Sequence, residues 1–181
     1  MKHLELTDAQ EAELHRLSRV YRREAERAAE GKAYLAACVM AGSGLEALLM
    51  VMVNGYPDDL VAVADKLPKH KGGPKPLLKW SLAELLRVAK LAGWLPAGME
   101  LDDDWSRRKA KIGDYAEVVR MTRNLLHPAV YIEEHYKQRI TKKYYDSVYD
   151  TVAVAAGHLG ARVERSLLAR MKAEEESRKL E

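Results

Sequence analysis

Residues 33–53 form a run of 21 residues with a single charge, Glu46. No other feature constrains the fold as much. A bilayer core is crossed by about 20 apolar residues, so length alone permits a membrane helix. The composition argues against it. The run contains Gly42, Ser43 and Gly44, much of it is alanine, and an ionised Glu46 at mid-span would cost about 2.5–3.5 kcal/mol in lipid. A helix apolar on every side is also what a bundle needs at its centre, enclosed by other helices. The expectation is a soluble, cytoplasmic chain without membrane contact. Residues 1–7 lack the apolar stretch of a secretory signal, which agrees with that expectation.

The segments on either side supply the enclosing helices. Thr7 with Gln10 three residues on forms a capping box, and Leu14, Leu17 and Tyr21 then recur at helical spacing as far as a break at Gly31. Asn54-Gly55 and Pro57 terminate the apolar helix, and Asp58 can cap a short helix running to Leu67. The stretch Pro68-Lys69-His70-Lys71-Gly72-Gly73-Pro74-Lys75-Pro76 is the clearest loop in the chain. Ser81 and Glu84 form a second capping box, opening a leucine-rich helix that ends at Gly93. Asp102-Asp103-Asp104 can seed a short helix, and another starts at Gly113-Asp114 and ends near His127, before Pro128. A long helix runs from about residue 143 to the C-terminus, weakened in its middle by Gly157 and Gly160.

No alternating strand pattern of useful length appears. The fold class is therefore all-α: one domain over residues 1–181, a helical bundle of about five to seven helices with a long C-terminal helix. Two small-residue tracts, 36–44 and 153–161, predict close helix crossings, either within the chain or between copies of it. The chain is 48% hydrophobic and 31% charged, which supplies a core and excludes intrinsic disorder. Thirty Lys+Arg stand against 27 Asp+Glu, a net charge of +3, so bulk charge alone would not hold the chain on nucleic acid. The one cysteine, Cys38, excludes an internal disulfide and any multi-cysteine zinc site.

The segment ending at His127 carries the chemistry. At about 100° per residue, Arg120, Arg123, Asn124 and His127 fall at i, i+3, i+4 and i+7, within one polar arc of roughly 100°. Val118, Met121, Thr122 and Leu125 take the opposite side. The plain reading of a polar stripe is a solvated face. Such faces usually mix Lys with Glu, whereas this one sets two arginines beside a histidine. Neighbouring cations favour the neutral imidazole, the form able to exchange protons near pH 7.

The run Arg120-Met-Thr-Arg123-Asn124-Leu-Leu-His127 resembles the Arg–x4–6–His motif of the HEPN-domain superfamily, in which a polar residue, often Asn, commonly follows the Arg. The helix containing Gly44-Leu45-Glu46-Ala47-Leu48-Leu49, then a leucine-rich helix, then the Arg/His helix follow the order of a HEPN bundle. The similarity spans about residues 33–161, with 1–30 as an N-terminal helix and 162–181 as a C-terminal extension. Two registers are open. Arg120 has six residues before His127 but is followed by Met121; Arg123 is followed by Asn124 but has three. The resemblance implies a homodimer with a composite site, metal-independent cleavage of RNA, and a toxin or defence role with an antitoxin or other protein partner. It assigns catalysis to Arg120, Arg123, Asn124 and His127. A non-catalytic helical module binding a protein or nucleotide partner is the alternative.

Glu46 needs a partner if buried; Arg120 or Arg123 would make it a positioning residue, and a rim-exposed Glu is the other reading. Lys66, Lys69, Lys71, Lys75 and Lys79, with no acid before Glu84, form a basic stretch. Within it Lys69, Lys71 and Lys75, together with Arg107 and Arg108 ahead of the motif, are candidate phosphate contacts, although a solvated loop is the simpler reading. Tyr131, Tyr136, Tyr144, Tyr145 and Tyr149 read as helix-packing aromatics, with base stacking as the alternative. No His-x-x-x-His or mixed carboxylate pattern points to a metal, and no cofactor is expected.

Overall fold

The computed structural model describes residues 2–96, 129, 132 and 140–180. Among them the chain folds into four α-helices: α1 (Asp8–Glu30), α2 (Tyr34–Gly55), α3 (Leu82–Leu91) and α4 (Lys142–Leu180). A 3-10 segment, Lys2–Leu4, precedes α1, and two more (Pro57–Lys66 and Leu77–Lys79) with a two-stranded hairpin, β1 (Lys69–His70) with β2 (Gly73–Pro74), lie between α2 and α3. The protein is all-α, as its periodicity predicts.

Both capping boxes form. Thr7 Oγ1 accepts from Gln10 N at 3.3 Å while Gln10 Oε1 accepts from Thr7 N at 3.0 Å. Ser81 and Glu84 exchange the same pair of bonds at 3.4 and 2.7 Å. The end of α1 differs from expectation. Gly31 keeps an ordinary negative φ, and Lys32, at φ +60°, takes the left-handed position instead. Ala33 N reaches Ala28 O at 2.7 Å and Lys32 N reaches Ala29 O at 2.9 Å, the Schellman pattern with lysine where glycine is usual. At the end of α3, Gly93 (φ +70°) makes the same motif with the expected residue.

α2 is the central helix, packed against α1, α3 and α4. Leu45, Leu49 and Val53 of α2 meet Leu60, Leu77, Trp80, Leu85 and Val88, with Ala155 and Leu159 of α4 closing the core. A fully buried leucine in such a cluster stabilises the fold by about 1.5–3 kcal/mol. Among the described residues α2 alone is long and apolar enough to span a bilayer, and 61% of its most apolar window is buried inside the structure. The N-terminal segment joins this core as well. Leu4 is buried, Asn54 Oδ1 accepts from Leu6 N at 2.8 Å, and Asn54 Nδ2 donates to Glu11 at 2.7 Å.

The first small-residue tract works as a close crossing, and its main partner is α1. A Cβ at Gly44 would stand 3.5 Å from Ser18 O and from Tyr21 Cβ. Farther along, Ala37 and Cys38 pack on Tyr145 and Val148 of α4. The second tract packs in part, with Ala155 buried in the core beside α2. Among the described residues nothing lies within 4 Å of a Cβ placed on Gly157 or Gly160, which face away from the buried Ala155 and Leu159. Beyond Val163 most of α4 is exposed, Leu167, Leu168 and Met171 included. With 39 residues, α4 is roughly 58 Å long at 1.5 Å per residue and outruns the core it packs on.

Candidate functional site

Arg120, Arg123, Asn124 and His127, together with Arg107, Arg108, Tyr131 and Tyr136, lie outside the described residues. The described part of the predicted site is Glu46 on α2 and the lysines of the hairpin.

Glu46 sits half-buried on α2, and burial raises its carboxyl above the ordinary glutamate range. Among the described residues no hydrogen bond or ion pair reaches it. Taking a carboxylate out of water without a partner favours the protonated form, which is the direction seen. The two arginines expected to pair with it are outside the described residues.

The stretch read from sequence as a loop contains a short hairpin. Lys69 is opposite Pro74 and His70 opposite Gly73. Lys71 (φ +49°) and Gly72 (φ +80°) turn the chain, both with positive φ, the pattern of a type I′ turn. Lys75 departs from the phosphate-contact reading. Its ammonium donates to both Glu84 oxygens, at 2.7 and 2.9 Å, so its charge is already engaged. Burial alone would raise the Glu84 carboxyl, but bonds from Lys75 and Ser81 outweigh it and hold the group below its usual range. Lys69 and Lys71 are exposed.

A polar cluster that sequence reasoning missed joins α4 to the segment after α2. Arg162 donates through Nε and Nη2 to the two oxygens of Asp59, at 2.9 and 2.7 Å. Trp94 Nε1 donates to Asp59 Oδ2 at 2.6 Å, and the Arg162 guanidinium lies 4.8 Å over the Tyr56 ring. Burial pushes the Asp59 carboxyl up, yet the bonds from Arg162 and Trp94 and the Arg162 charge together hold it below its ordinary value. The partners stand 103 residues apart, and no local pattern signals such a pair.

The remaining reactive groups have structural settings. Cys38 is buried, which pushes its thiol up to about 12 and leaves it un-ionised at neutral pH. Tyr145 stacks on Tyr34 at 6.3 Å and tilts against Tyr149 at 5.5 Å, and Tyr149 Oη donates to Glu26 at 2.7 Å. These tyrosines are packing aromatics. A shallow apolar hollow of about 630 Å³ opens beside the start of α2, lined by Tyr34, Leu35, Ala36, Val39, Met40 and Ile140. Among the described residues no group of three His, Cys, Asp or Glu side chains is gathered as a metal site.

No family model matches the chain, and no curated protein or solved structure matches it.

Proposed function

We propose that this chain is a HEPN-like RNA-acting protein: a metal-independent endoribonuclease of toxin or defence type, working in the cytoplasm as a homodimer with a composite site. The observation that carries the reading is the array Arg120, Arg123, Asn124 and His127 within eight residues, two forked cations and an amide around an imidazole. An all-α bundle supports it, with an apolar helix bearing one carboxylate ahead of a leucine-rich helix, in the order the resemblance implies.

These residue types suit RNA transesterification. The 2′-oxygen attacks the neighbouring phosphorus and the bond to the 5′-oxygen breaks, leaving a 2′,3′-cyclic phosphate and a 5′-hydroxyl. His127 takes the proton from the 2′-hydroxyl or gives one to the departing oxygen. Arg120 and Arg123 stabilise the charge that builds on the phosphoryl oxygens, through paired N–H donors. Asn124 orients the imidazole or the phosphate. The substitution at phosphorus takes place within the RNA itself, and the side chains supply the proton transfers and the charge stabilisation around it.

The test is incubation of the purified protein with single-stranded RNA in EDTA. Cutting that yields cyclic-phosphate ends is expected, reduced by roughly 10²–10⁴-fold in His127→Ala, the range of general acid–base contributions. Wild-type protein that leaves RNA intact would instead favour a non-catalytic module binding a protein or nucleotide partner. The feature that favours this second reading is the spacing: in the register where Asn124 follows the Arg, only three residues separate Arg123 from His127.

A further inference from the structure

We propose that the β1–β2 hairpin is a phosphate-binding finger that holds single-stranded RNA, with Lys69 and Lys71 as its contacts. The proposal rests on the reading of the chain as RNA-acting and adds a second surface to it.

Three observations carry it. The first is charge. From Lys66 to Lys79 the chain holds five lysines and no carboxylate, and the structure divides them by role. Lys75 is spent on Glu84, whereas among the described residues Lys69 and Lys71 are exposed and make no ion pair. The second is rigidity. Leu67 and Leu77 anchor the two ends of the hairpin in the core, Lys75 N donates to Pro68 O at 3.0 Å, and Lys75 O accepts from the buried Trp80 Nε1 at 2.8 Å. With the backbone braced in this way, only the lysine side chains remain to be ordered when a phosphate is bound. The third is the residue at the tip. The first central position of such a turn favours Asn, Asp or Gly, because a side chain is strained at positive φ. Lysine stands there at φ +49°. A strained residue in an otherwise well-braced turn is a reason to look for function, and a cation at the apex is what a phosphate would meet first.

Bases play no part in this contact. It would be independent of sequence, sensitive to salt, and able to hold a strand while the Arg/His segment acts on it. An anionic membrane surface would also attract lysines, and the test separates the two.

The experiment measures fluorescence anisotropy of a labelled 2′-O-methyl 20-mer, which has no 2′-hydroxyl to react, titrated with full-length protein in EDTA at several salt concentrations. The Lys69→Gln/Lys71→Gln double variant is expected to bind roughly tenfold more weakly at 50 mM salt. Each lost phosphate contact on a single strand removes about 0.7 from the slope of log K against log salt. Two contacts therefore flatten it by about 1.4, and the affinity lost between 50 and 200 mM salt shrinks by about sevenfold. Arg170→Gln/Lys172→Gln, which removes the same charge from exposed positions on α4, should leave both quantities unchanged. Lys71→Gly keeps the turn and relieves its strain, so it should bind more weakly without a lower melting temperature.

Equal weakening by the α4 pair would make the effect bulk charge and overturn the proposal. So would unchanged binding in the hairpin variants, or a hairpin requirement for phosphatidylserine vesicles with none for the oligonucleotide. The two readings fail separately. Hairpin-dependent binding without cleavage of ordinary RNA would remove the nuclease and keep the finger, whereas cleavage with hairpin-independent binding would do the reverse.

Discussion

Replacing Arg162 by methionine keeps an apolar stem of similar length against Tyr56 while removing two hydrogen bonds to Asp59 and the charge over the ring. The size of the loss depends on how far the pair is withdrawn from water. Fully exposed ion pairs contribute about 0–1 kcal/mol, whereas breaking a fully buried pair costs about 3–5 kcal/mol. Here the two side chains retain 22% and 24% of their exposure and the bonding is two-pronged. The expected cost therefore falls between those limits, at about 2 kcal/mol, which for a chain of this size lowers Tm by roughly 4–8 °C. A double-mutant cycle with Asp59→Asn isolates the pair, because the asparagine oxygen can still accept from Trp94. Urea denaturation at pH 7 should give a coupling of about 1–2 kcal/mol. The pH dependence supplies a second check. Asp59 has its carboxyl held below the ordinary value in the folded state, so its contribution is complete above the unfolded-state pKa and is lost as pH falls through the folded one. The coupling should be the same at pH 7 and pH 5 and smaller at pH 3. A coupling at pH 7 below about 0.3 kcal/mol, the usual scatter of independent sites, would refute the reasoning. A coupling that persists unchanged at pH 3 would refute it too.

The glycines give a graded set. Gly157→Ala and Gly160→Ala enter open space on a helix, so each should raise stability by about 1 kcal/mol in urea denaturation. Gly44→Ala meets neighbours at ordinary contact distance and should be neutral or better, whereas Gly44→Leu must push α1 away and should cost about 1–3 kcal/mol. Glu46→Gln removes an ionisable group whose carboxyl is raised by burial. A raised folded-state pKa means that stability falls as pH climbs from the unfolded value through the folded one. Glu46→Gln should therefore be more stable than wild type at pH 7, with the gain fading as pH drops below the ordinary glutamate range. A loss of stability at pH 7 would show that the charged form of Glu46 has a partner.

Much of the fold was readable because its signals are local. Thr7 with Gln10 and Ser81 with Glu84 sit three residues apart, and a capping box involves nothing beyond those residues. The apolar run announced a central helix because no solvent-facing helix can be apolar all round. Where a feature depended on what lies opposite, the sequence misled. The tracts 36–44 and 153–161 look alike as strings, yet Gly44 lies against α1 while Gly157 and Gly160 meet nothing within 4 Å among the described residues. Lys75 resembled its neighbouring lysines until Glu84 was found beside it. Of the predicted site, Glu46, Lys69, Lys71 and Lys75 have a described setting, and the Arg/His array remains a reading of spacing and residue chemistry.

Sequence alone determined that this chain is helical, where its capped helices begin, and that one helix is too apolar to be left in water. Those properties follow from hydrogen-bond patterns and periodicity within a few residues. Only the tertiary structure decided which lysine is neutralised, which glycine is a contact, and that Asp59 waits for an arginine 103 residues away. Charge pairing and close approach are properties of positions in space, and they exist only once distant segments have been brought together.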